Sequence, residues 1–103
     1  VWNMLVILCA SKSEEAADAM AAELAAAADA YTGENTGEKV YLVGPVDAAI
    51  AKVNDIYKKI IYLKAENYDT LVKIKNRTEV YARESRYYKN VTVTFDFNPV
   101  NGF

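Results

Sequence analysis

Four strand-like segments and two helix-like segments alternate in this chain of 103 residues, and their order limits the folds it can adopt. The first strand is predicted in the apolar run Trp2–Ala10, which has the length of a buried strand and is far shorter than the ~20 residues that cross a bilayer. The last strand has the clearest period of two, because apolar and polar residues alternate over 91–97. Its predicted inward residues are Val91, Val93, Phe95 and Phe97.

The two middle strands are predicted at Val40–Val43 and Ile56–Ala65. Gly44-Pro45 is expected to end the first of them, because proline cannot donate to a strand ladder. A short helical turn is expected over Asp47–Asn54. Alternation assigns the side chains of the third strand to two faces: Lys58, Ile60, Tyr62 and Lys64 on one, and Tyr57, Lys59, Ile61 and Leu63 on the other.

The first helix is predicted in the Ala-rich segment 14–30, since alanine has the highest helix propensity. Ser11 and Glu14 have the spacing of a capping box at its start. A polar turn containing Gly33, Asn35 and Gly37 is expected to end it. The residues predicted along its buried face are Ala16, Met20, Leu24, Ala27 and Tyr31.

The second helix is predicted to begin after Asn67, a good N-cap residue, and to run to about Arg83. Its predicted buried stripe consists of Leu71, Ile74, Thr78 and Tyr81. Its other face carries Lys73, Lys75, Arg77 and Arg83, which we interpret mainly as a solvated surface.

The order β-α-β-β-α-β predicts an α+β, ferredoxin-like fold, in which a four-stranded antiparallel sheet carries two helices on one face. At this length we expect residues 1–103 to form a single domain. Two helices cover only one face of such a sheet. The other face must therefore be polar or meet another molecule.

Charge is distributed unevenly along the chain, although the net charge is only −2. Residues 1–50 carry two basic and eight acidic side chains, whereas residues 51–103 carry ten basic and six acidic ones. The basic half can form a local patch that faces phosphates, because exposed charges act mainly within a Debye length of ~8 Å.

Catalytic chemistry is poorly represented in this composition. The chain has no histidine and a single cysteine, Cys9, which excludes a Cys/His zinc site and a histidine acid–base relay. It also lacks the glycine-rich phosphate loop of nucleotide-binding motors. We therefore expect no catalytic residue, no metal site and no cofactor here. The one cysteine, expected to be buried, favours a cytosolic protein.

Three segments carry a resemblance to a known family. Residues 40–53, VYLVGPVDAAIAKV, resemble the "v-x-v-l-G-P-x-x-a-p-i-x-k-i" segment of primosomal protein N′, the bacterial replication-restart DNA helicase family. Residues 57–65, YKKIIYLKA, are similar to its "Y-R-x-x-l-l-l-K" strand, and residues 93–99, VTFDFNP, to its terminal "i-D-v-D/N-P". The chain departs from the family where Ile56 and Lys58 replace arginines and Ala49 replaces a proline.

The resemblance implies that the chain is the C-terminal domain of a larger cytoplasmic helicase, and its start at Val1 without Met fits a fragment. The implied parent is an ATP-dependent 3′→5′ DNA helicase that uses ATP, magnesium and zinc, none of them expected in this domain. The domain would help it recognise stalled or branched forks and single-stranded DNA. The implied partners are DNA, the helicase lobes of the parent and single-strand-binding protein, with no membrane.

The candidate DNA-binding residues combine cations and aromatic rings, which suit phosphates and unpaired bases. They are Tyr57, Lys58, Lys59, Tyr62, Lys64, Arg86 and Lys89. Alternatively, the lysine stems shield the sheet, Tyr62 is part of the core, and Tyr87 and Tyr88 pack against the helix end.

Two other functions remain open: an intramolecular or partner docking domain with little DNA contact, and a small-molecule regulatory module suggested by fold analogy alone. An apolar uncovered sheet face favours docking, and one that carries lysines favours DNA.

Overall fold

The computed structural model of the protein describes residues 2–35 and 38–99. The elements within these ranges are β1 (Asn3–Ser11), α1 (Glu14–Asn35), β2 (Val40–Val53), β3 (Ile56–Ala65), α2 (Tyr68–Glu84) and β4 (Thr92–Phe97), with a 3-10 turn at Tyr88–Asn90. Their strands form one antiparallel sheet in the order β2-β3-β1-β4. The predicted ferredoxin-like fold is confirmed.

The core lies between the helices and one face of the sheet. Leu5 of β1 pairs with Leu63 of β3 and Phe97 of β4, and Ile7 pairs with Ile61 in the same way. Because side chains alternate along a strand, these residues share the face that meets the helices. Each fully buried Leu or Ile contributes about 1.5–3 kcal/mol. The largest fully buried side chains of the core are Leu5, Ile7, Met20, Leu24, Ile61, Leu63, Leu71 and Ile74.

Helix α1 buries Ala16, Met20, Leu24 and Ala27 as predicted, with Tyr31 half-buried. The expected capping residue was wrong, because β1 extends one residue further than predicted. Ser13 caps the helix: its Oγ accepts a hydrogen bond from the Ala16 N–H at 3.2 Å.

Ser11, the last residue of β1, instead donates from its Oγ to the Asn90 carbonyl at 2.6 Å. The far end of α1 also differs from the prediction. The helix passes through Gly33 and ends at Asn35, while Gly37 lies outside the described residues.

Helix α2 begins as predicted, since the side chain of Asn67 accepts a hydrogen bond from the Asp69 N–H at 2.9 Å. The carboxylate of Glu38 binds the Asn67 N–H and the Thr70 hydroxyl, and these hydrogen bonds lower the pKa of Glu38. They tie the residues before β2 to the start of α2.

The predicted stripe of α2 was wrong at its last position. Ala82 is buried there and Tyr81 is 48% exposed, because four residues and not three complete the next turn after the buried Thr78.

Strand β2 is much longer than predicted, and the helical turn expected over Asp47–Asn54 was wrong. The strand continues through Gly44-Pro45, a cis peptide bond, to Val53. Proline is tolerated because β2 is an edge strand with irregular pairing next to Val46. Asn54 and Asp55 both have positive φ, so they form a tight hairpin turn directly into β3.

Candidate nucleic-acid interface

The side of the sheet that faces away from the helices is called the open face here. Its residues are those that alternate with the core positions: Met4, Val6, Leu8 and Ala10 of β1; Tyr41, Val43 and Val46 of β2; Lys58, Ile60, Tyr62 and Lys64 of β3; and Thr92, Thr94 and Asp96 of β4. Val6 and Ile60, near its centre, are 1% and 0% exposed. The open face therefore has an apolar interior of its own with polar groups around it.

A groove of about 560 Å³ lies at one end of the open face. It is called the aromatic groove here, and its lining residues are Trp2, Met4, Tyr41, Val43, Tyr62 and Lys64. Pairing of β2 with β3 builds it, because Tyr41 lies opposite Lys64 and Val43 lies opposite Tyr62.

Two aromatic side chains dominate the mouth of this groove. The rings of Trp2 and Tyr41 are 5.3 Å apart between centroids and inclined by 62°, an edge-to-face contact. Trp2 is 44% exposed and Tyr41 46% exposed. Both rings therefore retain apolar surface that a ligand can cover.

Cations border the open face at both of its ends. Lys64 lines the aromatic groove, and the Nζ of Lys39 lies 5.6 Å from the centroid of the Tyr41 ring. Lys58 lies six residues before Lys64 on β3, about 20 Å away at the usual rise of a strand. Asp96 lies on the β4 side of this face, opposite Val6. The lysines therefore belong to the β2–β3 half of the open face.

Three of the predicted DNA-binding residues, Lys58, Tyr62 and Lys64, share the open face, as the alternation predicted. Tyr57 and Lys59 belong to the opposite, helix-facing side. The structure thus separates two groups that the sequence had listed together.

Lys59 is only 8% exposed, and its ammonium group is surrounded by carboxylates. Its Nζ lies 3.3 Å from Glu14 and 3.1 Å from Asp18 of α1, and it also binds Asp47 of β2. The hydrogen bond to Asp47 is the main reason that the pKa of Lys59 is raised above its usual value. Because this ammonium group is already neutralised, we remove Lys59 from the candidate DNA contacts.

Arg86 and Lys89 lie in the connection between α2 and β4. The guanidinium of Arg86 lies 5.0 Å from the Tyr87 ring centroid and donates to the Tyr87 hydroxyl at 2.8 Å. Lys89 is exposed in the 3-10 turn. The Ser11–Asn90 hydrogen bond holds this connection at the Lys58 end of the sheet, since β1 ends there. These two cations are therefore remote from the aromatic groove.

Sequence reasoning missed the two rings at the groove mouth. Trp2 was assigned to a buried strand, and Tyr41 to a short strand without a functional role. The signal for Tyr41 was present in the alternation of Tyr41 and Val43 with Val40 and Leu42. Finding its neighbours also required the β2–β3 register, which places Tyr41 beside Lys64.

No family model and no curated protein matches this chain. The solved structures similar to it include the de novo designed protein Foldit4 (TM-score 0.63, 12% identity), covering 98% of this chain and 100% of that one. Another is the de novo designed ferredoxin-fold protein LFR1 (TM-score 0.56, 13% identity), covering 99% and 88%. A putative aminohydrolase from methicillin-resistant Staphylococcus aureus (TM-score 0.52, 13% identity) matches 93% of this chain but only 29% of its own.

At these identities the similarity concerns the fold alone. Neither helix in the described ranges is long and apolar enough to cross a membrane.

Proposed function

We propose that this chain is the C-terminal DNA-binding and structure-sensing domain of a primosomal replication-restart helicase. In this proposal its open face holds single-stranded DNA at stalled or branched forks. The observation that carries it is the combination of lysines with exposed aromatic rings on one uncovered sheet face, with Lys58, Tyr62 and Lys64 on a single strand. Lysines neutralise phosphates, and each base stacked on an aromatic ring contributes roughly 1–3 kcal/mol.

The position of the family-like segments supports this assignment. Residues 40–53 and 57–65, which resemble primosomal protein N′, form the hairpin of β2 and β3. That hairpin supplies four of the six residues that line the aromatic groove: Tyr41, Val43, Tyr62 and Lys64. The resemblance and the candidate surface therefore coincide in the same part of the molecule.

The architecture is also suitable for the task. Four-stranded sheets with helices behind them and aromatic rings in front stack two or three bases in RNA-recognition modules. Here α1 carries exposed acidic residues on the side away from the open face, among them Glu15 and Glu23. At physiological salt these charges act over ~8 Å, so they repel phosphates from the helical side without neutralising the open face.

The rest of the proposal concerns the parent protein. The ATP-dependent 3′→5′ motor, with its magnesium and zinc, belongs to other domains of a cytoplasmic helicase. This domain contributes contacts to DNA and to the helicase lobes, with single-strand-binding protein as a further partner. Its own role is recognition and not catalysis.

Docking on another protein surface is the second candidate, and a specific observation favours it. Val43 and Val46 are 57% and 40% exposed, and aliphatic side chains give little stacking to a base. They form an apolar strip on the edge strand that the helicase lobes of the parent would cover. In that case DNA contact by this domain would be incidental.

Titration of labelled forked and single-stranded DNA with the domain at low salt separates the two candidates. We expect weak, sequence-independent binding that falls steeply with salt. Lys64→Glu should remove most of the affinity, whereas Lys73→Glu, which makes the same charge change on an exposed residue of α2, should have little effect. Absence of binding at high micromolar protein, or equal losses in both variants, would favour docking.

A further inference from the structure

We infer that the aromatic groove binds one unstacked nucleobase of single-stranded DNA, with the adjoining phosphate next to Lys64. This inference rests on the proposed function and adds to it a defined subsite and a ligand class. It predicts that the groove accepts a base which has left the duplex stack, as at a fork or a strand end.

The size and lining of the groove match such a ligand. Its volume of about 560 Å³ is within the range of small-molecule sites, roughly 300–1,000 Å³. Trp2, Tyr41 and Tyr62 supply three aromatic surfaces, and Met4 and Val43 complete an apolar wall. Because this lining is mostly apolar and aromatic, it suits a flat heterocycle better than a phosphate or a sugar.

The ring geometry favours one base over a continuous stack. Since the Trp2 and Tyr41 rings are inclined by 62°, they do not offer two parallel stacking surfaces. A base stacked on one ring is inclined to the plane of the other, so the two rings do not serve as consecutive surfaces of one stack. The groove is therefore suited to an isolated base at the end of a strand segment.

Charge decides between a nucleobase and an apolar peptide side chain. Among the described residues that line the groove, Lys64 is the charged one and none is a carboxylate. Lys39, beside the Tyr41 ring, adds a second cation at this end. A ligand whose apolar ring is attached to a phosphodiester can pack its ring on the apolar wall and place its phosphate near Lys64 and Lys39.

The lining also predicts how the groove selects among bases. The described lining residues include no Asn, Gln, Asp, Glu or Arg to read a base edge, and their polar groups are those of Trp2, Tyr41, Tyr62 and Lys64. Selection should follow stacking area, with purines bound more tightly than pyrimidines. A further phosphate contact at Lys58, about 20 Å along the strand, gives a site on the order of four nucleotides.

Trp2 is the only tryptophan of the chain, and its emission therefore reports on the groove directly. Titration with a short single-stranded oligonucleotide should quench Trp2 as the anisotropy of the labelled oligonucleotide rises. An oligonucleotide of the same length with abasic sites keeps its phosphates but should bind more weakly and leave Trp2 unquenched. A blunt duplex of the same length should also leave Trp2 unquenched, because its bases remain stacked.

Each result of this titration has a definite meaning. Anisotropy that rises without Trp2 quenching would overturn the base subsite and leave the proposed function intact. No anisotropy change at all would overturn both. Trp2 emission that shifts with protein concentration, without DNA, would show that a second copy of this chain covers the groove, and would also overturn the inference.

A matched pair of tyrosine variants tests the groove without relying on Trp2. Tyr41→Ala should weaken single-strand binding about tenfold, the loss of one stacking surface. The control is Tyr81→Ala, because Tyr81 is equally exposed (48% against 46%) but lies on α2. Circular dichroism should show both variants folded. Unchanged affinity of Tyr41→Ala, or equal losses in the two variants, would contradict the inference.

Discussion

Lys58 and Lys59 are adjacent on β3, yet the two faces of the sheet give them opposite environments. Lys59 faces the helices, is 8% exposed and binds three carboxylates, whereas Lys58 points to the open face with Lys64 and Tyr62. The same residue type stabilises the fold on one side and is available to a ligand on the other. The face of a strand, and not the residue type, therefore decides which lysines are candidates for binding.

The two faces also differ in what they contribute to stability. The helix-facing side is closed by α1 and α2 and contains the fully buried core. The open face exposes apolar and aromatic side chains such as Val43 and Tyr41. Substitutions at the exposed positions of the open face should therefore change binding and leave folding nearly intact, whereas truncation of the buried core residues on the other face should do the reverse.

The largest contrast is expected between Leu63→Ala and Val43→Ala. Leu63 is 0% exposed, and its truncation leaves a cavity that should cost about 2–5 kcal/mol of unfolding free energy. Truncation of Val43, which lies on the neighbouring strand and is 57% exposed, should cost about 0.5 kcal/mol of unfolding free energy. Urea denaturation of both variants measures the difference. Similar losses would mean that the open face is covered in the folded molecule.

Alkaline pH should reveal the next largest difference, through the buried thiol of Cys9. Burial raises the pKa of Cys9 to about 12, from an ordinary value of 9.0. The unfolded chain therefore loses this proton first, so the stability contributed by the buried thiol is complete below pH 9. Above pH 9 it should fall by about 1.4 kcal/mol per pH unit, until the pKa of the folded state is reached.

Moving the thiol to the neighbouring residue isolates this effect. The double variant Cys9→Ala/Ala10→Cys places it on the open face, where Ala10 is half-buried. Its alkaline loss of stability should be shallower, and its thiol should react with a disulfide reagent at pH 8 while that of the parent chain does not. Lys59, whose raised pKa adds a loss of stability that begins above its ordinary value of 10.5, is common to both chains. Equal pH slopes would contradict the assignment to Cys9.

A smaller effect is expected when the two adjacent lysines are compared directly. Lys59→Met leaves Glu14, Asp18 and Asp47 without their shared cation, and we expect a cost of about 1–2 kcal/mol. The cost is moderate because these carboxylates are more than half exposed and water screens their repulsion. Lys58→Met should be nearly neutral. Thermal denaturation in low and high salt checks this, since salt should restore part of the loss in Lys59→Met only.

The sequence predicts those helices and strands that bury one face against the core and expose the other. The alternation over 91–97 and the spacing of Met20 and Leu24 both result from one face meeting the core, so period alone identifies them. It also places Lys58, Tyr62 and Lys64 on a common face. The second half of β2 was missed because Pro45 was read as an end signal, whereas an edge strand accommodates proline with a bulge.

The candidate site was predicted less completely, because its parts come from distant positions. The carboxylates that neutralise Lys59 include Glu14, which is 45 residues away on α1. Trp2 and Tyr41 meet only because β1 and β2 both flank β3. These contacts depend on the order and register of the strands. The spacing of residues within one segment determines neither of them.

The smallest effect is expected in the salt dependence of DNA binding, where Lys58 and the control residue Lys73 are compared. Each phosphate neutralised on a single strand contributes about 0.7 to the slope of log affinity against log salt, because one condensed counterion is released. Lys58→Ala should lower the magnitude of that slope by about this amount, whereas Lys73→Ala on α2 should leave it unchanged.

Because Trp2 lies at the other end of the open face, its quenching at saturating DNA should persist in Lys58→Ala. A loss of quenching in that variant would mean that the two ends bind DNA as one unit, and an unchanged slope would mean that Lys58 does not contact phosphate.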